Sequence, residues 1–349
     1  MLELNSVINK FNSFEIKSNE DDCIENEIKI NKLLDKIKYN ISNILDNKFN
    51  NTEVGEVIDY AVSSVGKMIR SRLLIMFASN AYNFEDLEDE VCELASLVEL
   101  IHLSSLIHDD IIDDANFRRK KLSLQAKFGK SAAVYAGDFI ISRVYMYLAK
   151  NSLRKVSLEL TQSIEDMCAG EIGQNMCKYK SNITIDQYID NIKGKTCSLF
   201  KTSCLLGASF ADFTAKDLKN IEQFGMNFGL MFQLIDDLLD YTSNLNKAGK
   251  DCRKDFIEGI YTYPIICLIE KESSNIELRR ILIKNQNHQL EDEDFMKVVS
   301  LANKSGAIDL TKKEIKRLAA INQEILDNLA CTSFSRYLSK SILKKIEVI

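Results

Sequence analysis

One proline and thirteen glycines in 349 residues are too few for a fold built on frequent turns. That scarcity argues against a sandwich or barrel and fits an all-helical body. Tryptophan is absent, and histidine occurs three times. None of the nine cysteines, at 23, 92, 168, 177, 197, 204, 252, 267 and 331, forms a CxxC pair. With so few histidines, that leaves no spacing for a structural zinc site. An odd number of cysteines without a secretory signal reads as free thiols in a reducing, cytoplasmic setting, most of them small core residues. No uninterrupted apolar run approaches the ~18 residues of a membrane span, so a soluble chain without a transmembrane segment is expected. Neither a signal peptide nor an Arg-rich transit segment is visible at the start. The net charge of −6, from 45 basic and 51 acidic residues, gives no footprint for nucleic acid. An anionic substrate would have to be met by local basic groups and metal.

What is present suits a sizeable core: 46% hydrophobic and 28% charged residues. Residues 1–25 are polar and expected to be poorly ordered, and 26–349 read as one all-α domain. Helical spacing begins near Ile28 (Leu33, Leu34, Ile37, Ile41, Ile44, Leu45) and recurs from Val54 to the Gly66-Lys67 turn and over Arg70–Tyr82. A long, mostly apolar helix is expected over Val91–Asp114, then a basic loop over Phe117–Lys130. Further helices are expected over Ala132–Lys150 and Val156–Gln174. Thr184-Ile185-Asp186-Gln187 has capping-box spacing. The helix it starts should run to a turn near Lys193–Thr196, where Thr196 caps the next one. Thr214-Ala215-Lys216-Asp217 starts a second long helix through Asp240, with Gly225 and Gly229 four apart for close packing. Residues 244–259 read as loop and 272–293 as a polar connector. A last amphipathic region opens at Thr311. There is no internal repeat and no low-complexity linker.

Two aspartate clusters of one form stand out: Asp109-Asp110-Ile111-Ile112-Asp113 and Asp236-Asp237-Leu238-Leu239-Asp240. Each lies at the end of an apolar helical run. The first and last Asp of each are four apart and share a helix face. Like charges at that spacing cost an isolated helix a few tenths, about 0.2–0.5 kcal/mol. A hard divalent cation bound by carboxylate oxygens and substrate phosphates offsets that repulsion. A lone acidic cluster is more often solvated surface; a matched pair reverses those odds. Basic groups stand around them: Lys67 and Arg70 at a turn, Arg118 and Arg119 after the first cluster, Lys195 at a helix start, Lys250 after the second. Any single one is more often surface. Together with carboxylates and metal they describe a site for polyphosphate.

The chain resembles the trans-isoprenyl diphosphate synthases, the polyprenyl synthetase family. The resemblance runs through Glu99–Asp113 with Arg118-Arg119, then Ala136–Phe139, Lys195–Phe200, Phe232–Asp240, Gly249-Lys250, Asp255, Glu258-Gly259 and Thr262–Pro264. It spans about residues 60–270 in the family's order. It implies a single all-α bundle of about ten or more helices around a deep central cavity. It implies head-to-tail condensation of an allylic diphosphate with isopentenyl diphosphate, dependent on about three Mg²⁺ ions per site, in a homodimer. By position, Asp109, Asp113 and Asp236 would ligate metal, with Asp110, Asp237 and Asp240 completing the shells. Arg118, Lys195 and Lys250 would contact the allylic diphosphate. Lys67, Arg70, His102 and Arg119 would bind isopentenyl diphosphate. Thr196 and Gln233 would sit beside the carbocation.

Ser104 and Ser105 stand where short-product members carry an aromatic floor, so the product is expected to be longer than farnesyl, a quinone side-chain precursor. Ile101, Phe139, Tyr145 or Tyr147 could supply a floor instead, giving a farnesyl or geranylgeranyl product. The chain departs from the family pattern at Ser71 (usually Pro), Lys120 (Gly), Leu122 (Pro), Arg253 (Gly) and Ile260 (Lys). Arg253 or Lys254 stand near enough in sequence to replace the last charge. The rival readings are a class I terpene cyclase, a non-catalytic subunit of a heteromeric synthase, and a helical scaffold with solvated acidic clusters. The intact second motif, with Lys67 and Arg70, weighs against the cyclase.

Overall fold

A computed structural model describes residues 20–45, 49, 51–63, 65–242 and 253–347. Helix α1 (Glu20–Leu45) lies against α4 (Phe84–Ile112), with α2 (Glu53–Val62) and α3 (Ile69–Ala78) between them in sequence. The boundary drawn after residue 25 falls inside α1, whose Ile30, Leu33, Ile37 and Ile41 are buried. α4 is apolar on nearly every face from Val91 to Ile107, the pattern of an interior helix. Its length and hydropathy would also let it cross a membrane. The most apolar window of α4 is 72% buried inside the protein, which fits a core helix.

The basic stretch expected as loop has structure of its own. β1 (Phe117–Arg118) pairs antiparallel with β2 (Lys121–Leu122), and α5 (Leu124–Phe128) follows, capped by Ser123 Oγ accepting from the Ala126 N–H at 3.2 Å. The two turn residues have positive φ, 49° at Arg119 and 66° at Lys120, the mirror-image turn that matches strand twist. Two-residue strands carry too little pattern to read from sequence.

α6 (Lys130–Lys150) packs on α4, and α7 (Arg154–Met176) follows. α8 (Ile185–Ile192) starts on the expected capping box: the Gln187 N–H donates to Thr184 Oγ1 at 3.2 Å and the Thr184 N–H to Gln187 Oε1 at 3.0 Å. The expected turn before Thr196 is absent. Instead α8 runs through a π-helical segment, Lys193–Cys197, straight into α9 (Ser198–Ala208). A π segment inserts one residue into the helix without ending it, and such segments occur often at functional sites.

α10 (Ala215–Thr242) opens where Thr214 and Asp217 cap each other: the Asp217 N–H donates to Thr214 Oγ1 at 3.2 Å and the Thr214 N–H to Asp217 Oδ2 at 3.0 Å. A Cβ at Gly225 would lie 2.6 Å from Lys201 Cα, and one at Gly229 2.6 Å from Cys197 Cα, so α10 meets α9 and the π segment backbone to backbone. α11 (Lys254–Ile257) is one helical turn, and α12 (Tyr263–Lys271) begins with Pro264 in its first turn. The stretch expected as a polar connector forms α13 (Ile276–Gln286). Only its Leu278, Ile281, Leu282 and Asn285 are buried, a face too narrow to dominate its polar sequence. α14 (Asp292–Lys304), α15 (Ala307–Asn328) and α16 (Ser333–Glu347) complete the chain, α15 against α10 and α16 against α3. One hydrophobic cluster runs through these helices, from Ile30 to Ile342.

Candidate active site

The first motif ends α4, whose C-cap is Asp113; the second ends α10, two residues before its last residue, Thr242. The π segment brings Lys195 between them. Its ammonium is held 2.9 Å from Glu171 Oε1 and 2.8 Å from Gln174 Oε1, both on α7, and it feels Asp109 and Asp255. Asp236 feels the same ammonium. Residues of α4, α7, α10 and α11 thus converge on one cation.

Within each motif the two adjacent aspartates part company, because neighbours on a helix point about 100° apart. Asp110 is 4% exposed and turns inward. Arg118 Nε donates to its Oδ1 and Oδ2 at 2.9 and 2.8 Å, and Nη2 to Oδ1 at 2.7 Å. Asp237, 2% exposed, accepts from the Tyr188 hydroxyl at 2.6 Å, from Gln233 Nε2 at 3.0 Å and from the Tyr263 N–H at 3.2 Å. The Thr196 hydroxyl donates to Gln233 Oε1 at 2.9 Å. Thr196 and Gln233 are therefore adjacent, though Thr196 caps no helix. Arg118, assigned by position to a diphosphate, is paired with Asp110 here, and both middle aspartates are engaged by protein groups.

The outer aspartates are crowded together, with Lys195 beside Asp109 and Asp236 and Lys254 3.6 Å from Asp113 Oδ2. Burial, then Glu171, pushes the Asp109 carboxyl up to about 7, against the pull of Lys195. Asp240 rises to about 8 through burial, Asp255 and Asp236, and Asp255 to about 6 through burial, with Lys195 opposing. Burial also raises Asp236, which lies at the open side of the group, where solvent reaches it. Hard oxygen donors crowded until they resist ionising form a donor set that a divalent cation satisfies. Among the described residues no three acidic, histidine or cysteine side chains close around a point by themselves. Asp109, Asp113, Asp236 and Asp240 are the carboxylates that could hold such an ion together with oxygens of a bound substrate.

A second compartment lies beside the first. A cavity of about 240 Å³ is lined by Lys67, Arg70, Glu99, His102, Arg119 and Phe232, among others. Arg70 Nη1 lies 3.1 Å from His102 Nε2, and its guanidinium stacks 4.2 Å above the Phe200 ring. Arg70 Nε is buried with no hydrogen-bond partner within the protein, an unmet donor at this basic pocket. Burial lowers Arg70 to about 10, with Glu99 opposing. Burial, then Arg70 and Arg119, holds His102 well below its ordinary value, so its ring is neutral. Ser71 uses the freedom that a proline would lack: its N–H and its hydroxyl donate to Glu99 Oε1 at 3.2 and 2.9 Å. Those bonds hold the carboxylate that balances Arg70.

Ser104 is 1% exposed and donates its hydroxyl to the Gly137 carbonyl at 3.0 Å, tying α4 to α6. Ser105 is half-buried on the Asp109 face, its hydroxyl on the His102 carbonyl at 2.9 Å. Lys250 lies outside the described residues. Sequence reading missed Glu171, Gln174 and Tyr188 as members of the site, and nothing in their local sequence marks them; Glu99 lay within the resemblance without a role of its own.

A family model described as polyprenyl synthetase matches residues 51–300. A prenyl transferase of Cyanophora paradoxa is 31% identical over 82% of this chain and 86% of its own. The chloroplastic solanesyl-diphosphate synthase 2 of Oryza sativa subsp. japonica is 30% identical over 78% of this chain and 66% of its own. The crystal structure of heptaprenyl diphosphate synthase from Staphylococcus aureus superposes with a TM-score of 0.80 at 26% identity, covering 91% of this chain and 98% of that one. An all-α body with two aspartate motifs around one lysine, beside a basic compartment, defines a trans-prenyltransferase. The chain belongs to the polyprenyl synthetase family.

Proposed function

We propose that the protein extends an all-trans allylic diphosphate by head-to-tail condensation with isopentenyl diphosphate, giving a polyprenyl diphosphate longer than farnesyl. The observation that carries this reading is the division of the site. One compartment is acidic with Lys195 at its centre; the other is basic, with Lys67, Arg70, His102 and Arg119. Two anionic substrates with different counter-ions need two such compartments. Divalent cations, Mg²⁺ on this reading, supply Lewis-acid neutralisation of the departing diphosphate when bound. Asp109, Asp113, Asp236 and Asp240 would hold them, and Lys195 adds a fixed positive charge. The oxygens of Thr196 and Gln233, locked together at 2.9 Å, offer a dipole to positive charge on carbon. In the second compartment Lys67, Arg70 and Arg119 supply the positive charge for the other diphosphate, with neutral His102 accepting from Arg70 Nη1 at 3.1 Å.

The names of the relatives support a long product. Two copies are proposed to associate through α6 and α7, whose Tyr135, Tyr145, Met146, Leu158 and Ile172 expose apolar surface to solvent. The test is the purified chain alone with Mg²⁺, isopentenyl diphosphate and a farnesyl or geranylgeranyl starter, with products sized by chromatography. Mg²⁺-dependent products longer than farnesyl are expected, from a dimer in solution by light scattering. Turnover only after adding a second polypeptide would make the chain a subunit of a heteromeric enzyme, and no turnover under any of these conditions would overturn the reading. Replacing Ser105 with Phe should shorten the product. The same change at Ser104 has to displace α6 and should cost stability as well.

A further inference from the structure

Lys254 reaches the last aspartate of the first motif, although 141 residues separate it from Asp113. Its Nζ donates to the Asp113 carbonyl at 2.7 Å and lies 3.6 Å from Asp113 Oδ2 and 3.6 Å from Glu258 Oε1. The backbone beneath it is fixed on several sides. Phe256 is 1% exposed. Asn285 Nδ2 of α13 donates to the Phe256 carbonyl at 2.9 Å and the Ile257 carbonyl at 3.3 Å, while the Tyr261 hydroxyl holds Asn285 Oδ1 at 3.0 Å. The Tyr179 N–H donates to the Gly259 carbonyl at 2.8 Å, and its ring fills the place a Cβ at Gly259 would take, where φ is +75°. A rigid α11 thus delivers a flexible ammonium to the end of α4, where the helix dipole favours a cation.

Among the described residues of the acidic compartment, Lys195 and Lys254 differ in what holds them. Lys195 is paired with Glu171 and Gln174, neither of which belongs to the aspartate motifs. Lys254 is paired with Asp113, a residue placed to hold metal. The Asp113 carboxylate cannot serve both an ammonium and a divalent ion at full strength. An ammonium has three donors, so the bond to the Asp113 carbonyl can persist while the others turn elsewhere.

We propose that Lys254 is an exchange cation. It neutralises Asp113 before metal arrives, and is turned onto the allylic diphosphate when the metal takes the Asp113 carboxylate. The inference rests on the prenyltransferase reading above and adds a substrate-binding residue to it. It predicts that one substitution affects two ligands differently.

Lys254→Met should leave Mn²⁺ binding to the substrate-free protein equal or tighter, measured by calorimetry or electron spin resonance. It should weaken a non-reactive allylic thiodiphosphate in saturating Mg²⁺ by about tenfold or more. Lys254→Arg should recover most of that loss, and the KM for isopentenyl diphosphate should stay within about twofold of wild type. Analogue affinity unchanged in Lys254→Met would overturn the proposal. So would parallel weakening of Mn²⁺ and analogue with a lowered Tm, which marks a merely structural lysine. If wild-type protein itself fails to bind the analogue, the prenyltransferase reading falls instead.

Discussion

The Tyr188 hydroxyl donates to Asp237 Oδ2 across 2.6 Å, from α8 to α10. That bond, with those from Gln233 and the Tyr263 N–H, commits the middle aspartate of the second motif to the protein interior. Tyr188→Phe should cost about 1–2 kcal/mol of stability, read from denaturant unfolding. Asp236→Asn should leave stability nearly unchanged, because solvent reaches that carboxylate. It should still lower Mg²⁺-dependent turnover by on the order of 100-fold. Equal stability losses in the two variants would contradict the division of labour within the motif.

Asp110 and Arg118 form the matching pair in the first motif, with side chains 6% and 29% exposed. A double-mutant cycle with Asp110→Asn and Arg118→Gln should give a coupling of about 1.5–3 kcal/mol in unfolding free energy. A coupling near zero would mean that Arg118 is held by something other than Asp110.

The crowded carboxylates make stability depend on pH. Asp255, Asp109 and Asp240 are raised from the ordinary 3.8 to about 6, 7 and 8 by burial first and neighbouring carboxylates second. A raised carboxyl binds its proton more tightly in the folded state, so the stability it adds is complete below about 4 and is lost as pH rises through its folded value. The metal-free protein should therefore lose Tm between pH 5 and pH 8.5. Saturating Mg²⁺ should flatten or reverse that slope, and its uptake near pH 7 should release protons, seen by calorimetry in buffers of different ionisation enthalpy. A metal-free Tm independent of pH would contradict the crowding.

Ser71 lies in the first turn of α3, with both its donors serving buried Glu99. Ser71→Pro should destabilise by about 1–3 kcal/mol for each donor lost. Its effect on KM should fall on isopentenyl diphosphate, since Glu99 balances Arg70.

Lys120 holds φ at 66° in a two-residue turn. Lys120→Gly should stabilise the protein by about 1 kcal/mol, since glycine lacks the Cβ that this region penalises. A lower Tm would show that the Lys120 side chain makes contacts worth more than the strain.

Much of the site was legible in the chain because helices have a fixed period. The four-residue spacing within Asp109–Asp113 and Asp236–Asp240 places the outer carboxylates on one face whatever surrounds them. Thr184 and Thr214 read correctly because each caps through backbone atoms three residues away, and Gly225 and Gly229 because a four-residue spacing puts both on one helix face. The turn expected at Lys193–Thr196 did not form, because packing of the segment on α7 and α10 outweighed the local glycine signal. The narrow apolar face of α13 hid a helix whose Asn285 fixes α11.

By itself, then, the sequence determined the helical class, the family and the faces that carry charge, since these follow from local periodicity and residue type. The tertiary structure decided which charges meet. Tyr188 reaches Asp237 across 49 residues and Lys254 reaches Asp113 across 141. Such pairings depend on how helices cross, and no local spacing encodes that. The first commits Asp237 to the protein interior, and the second brings a cation to Asp113.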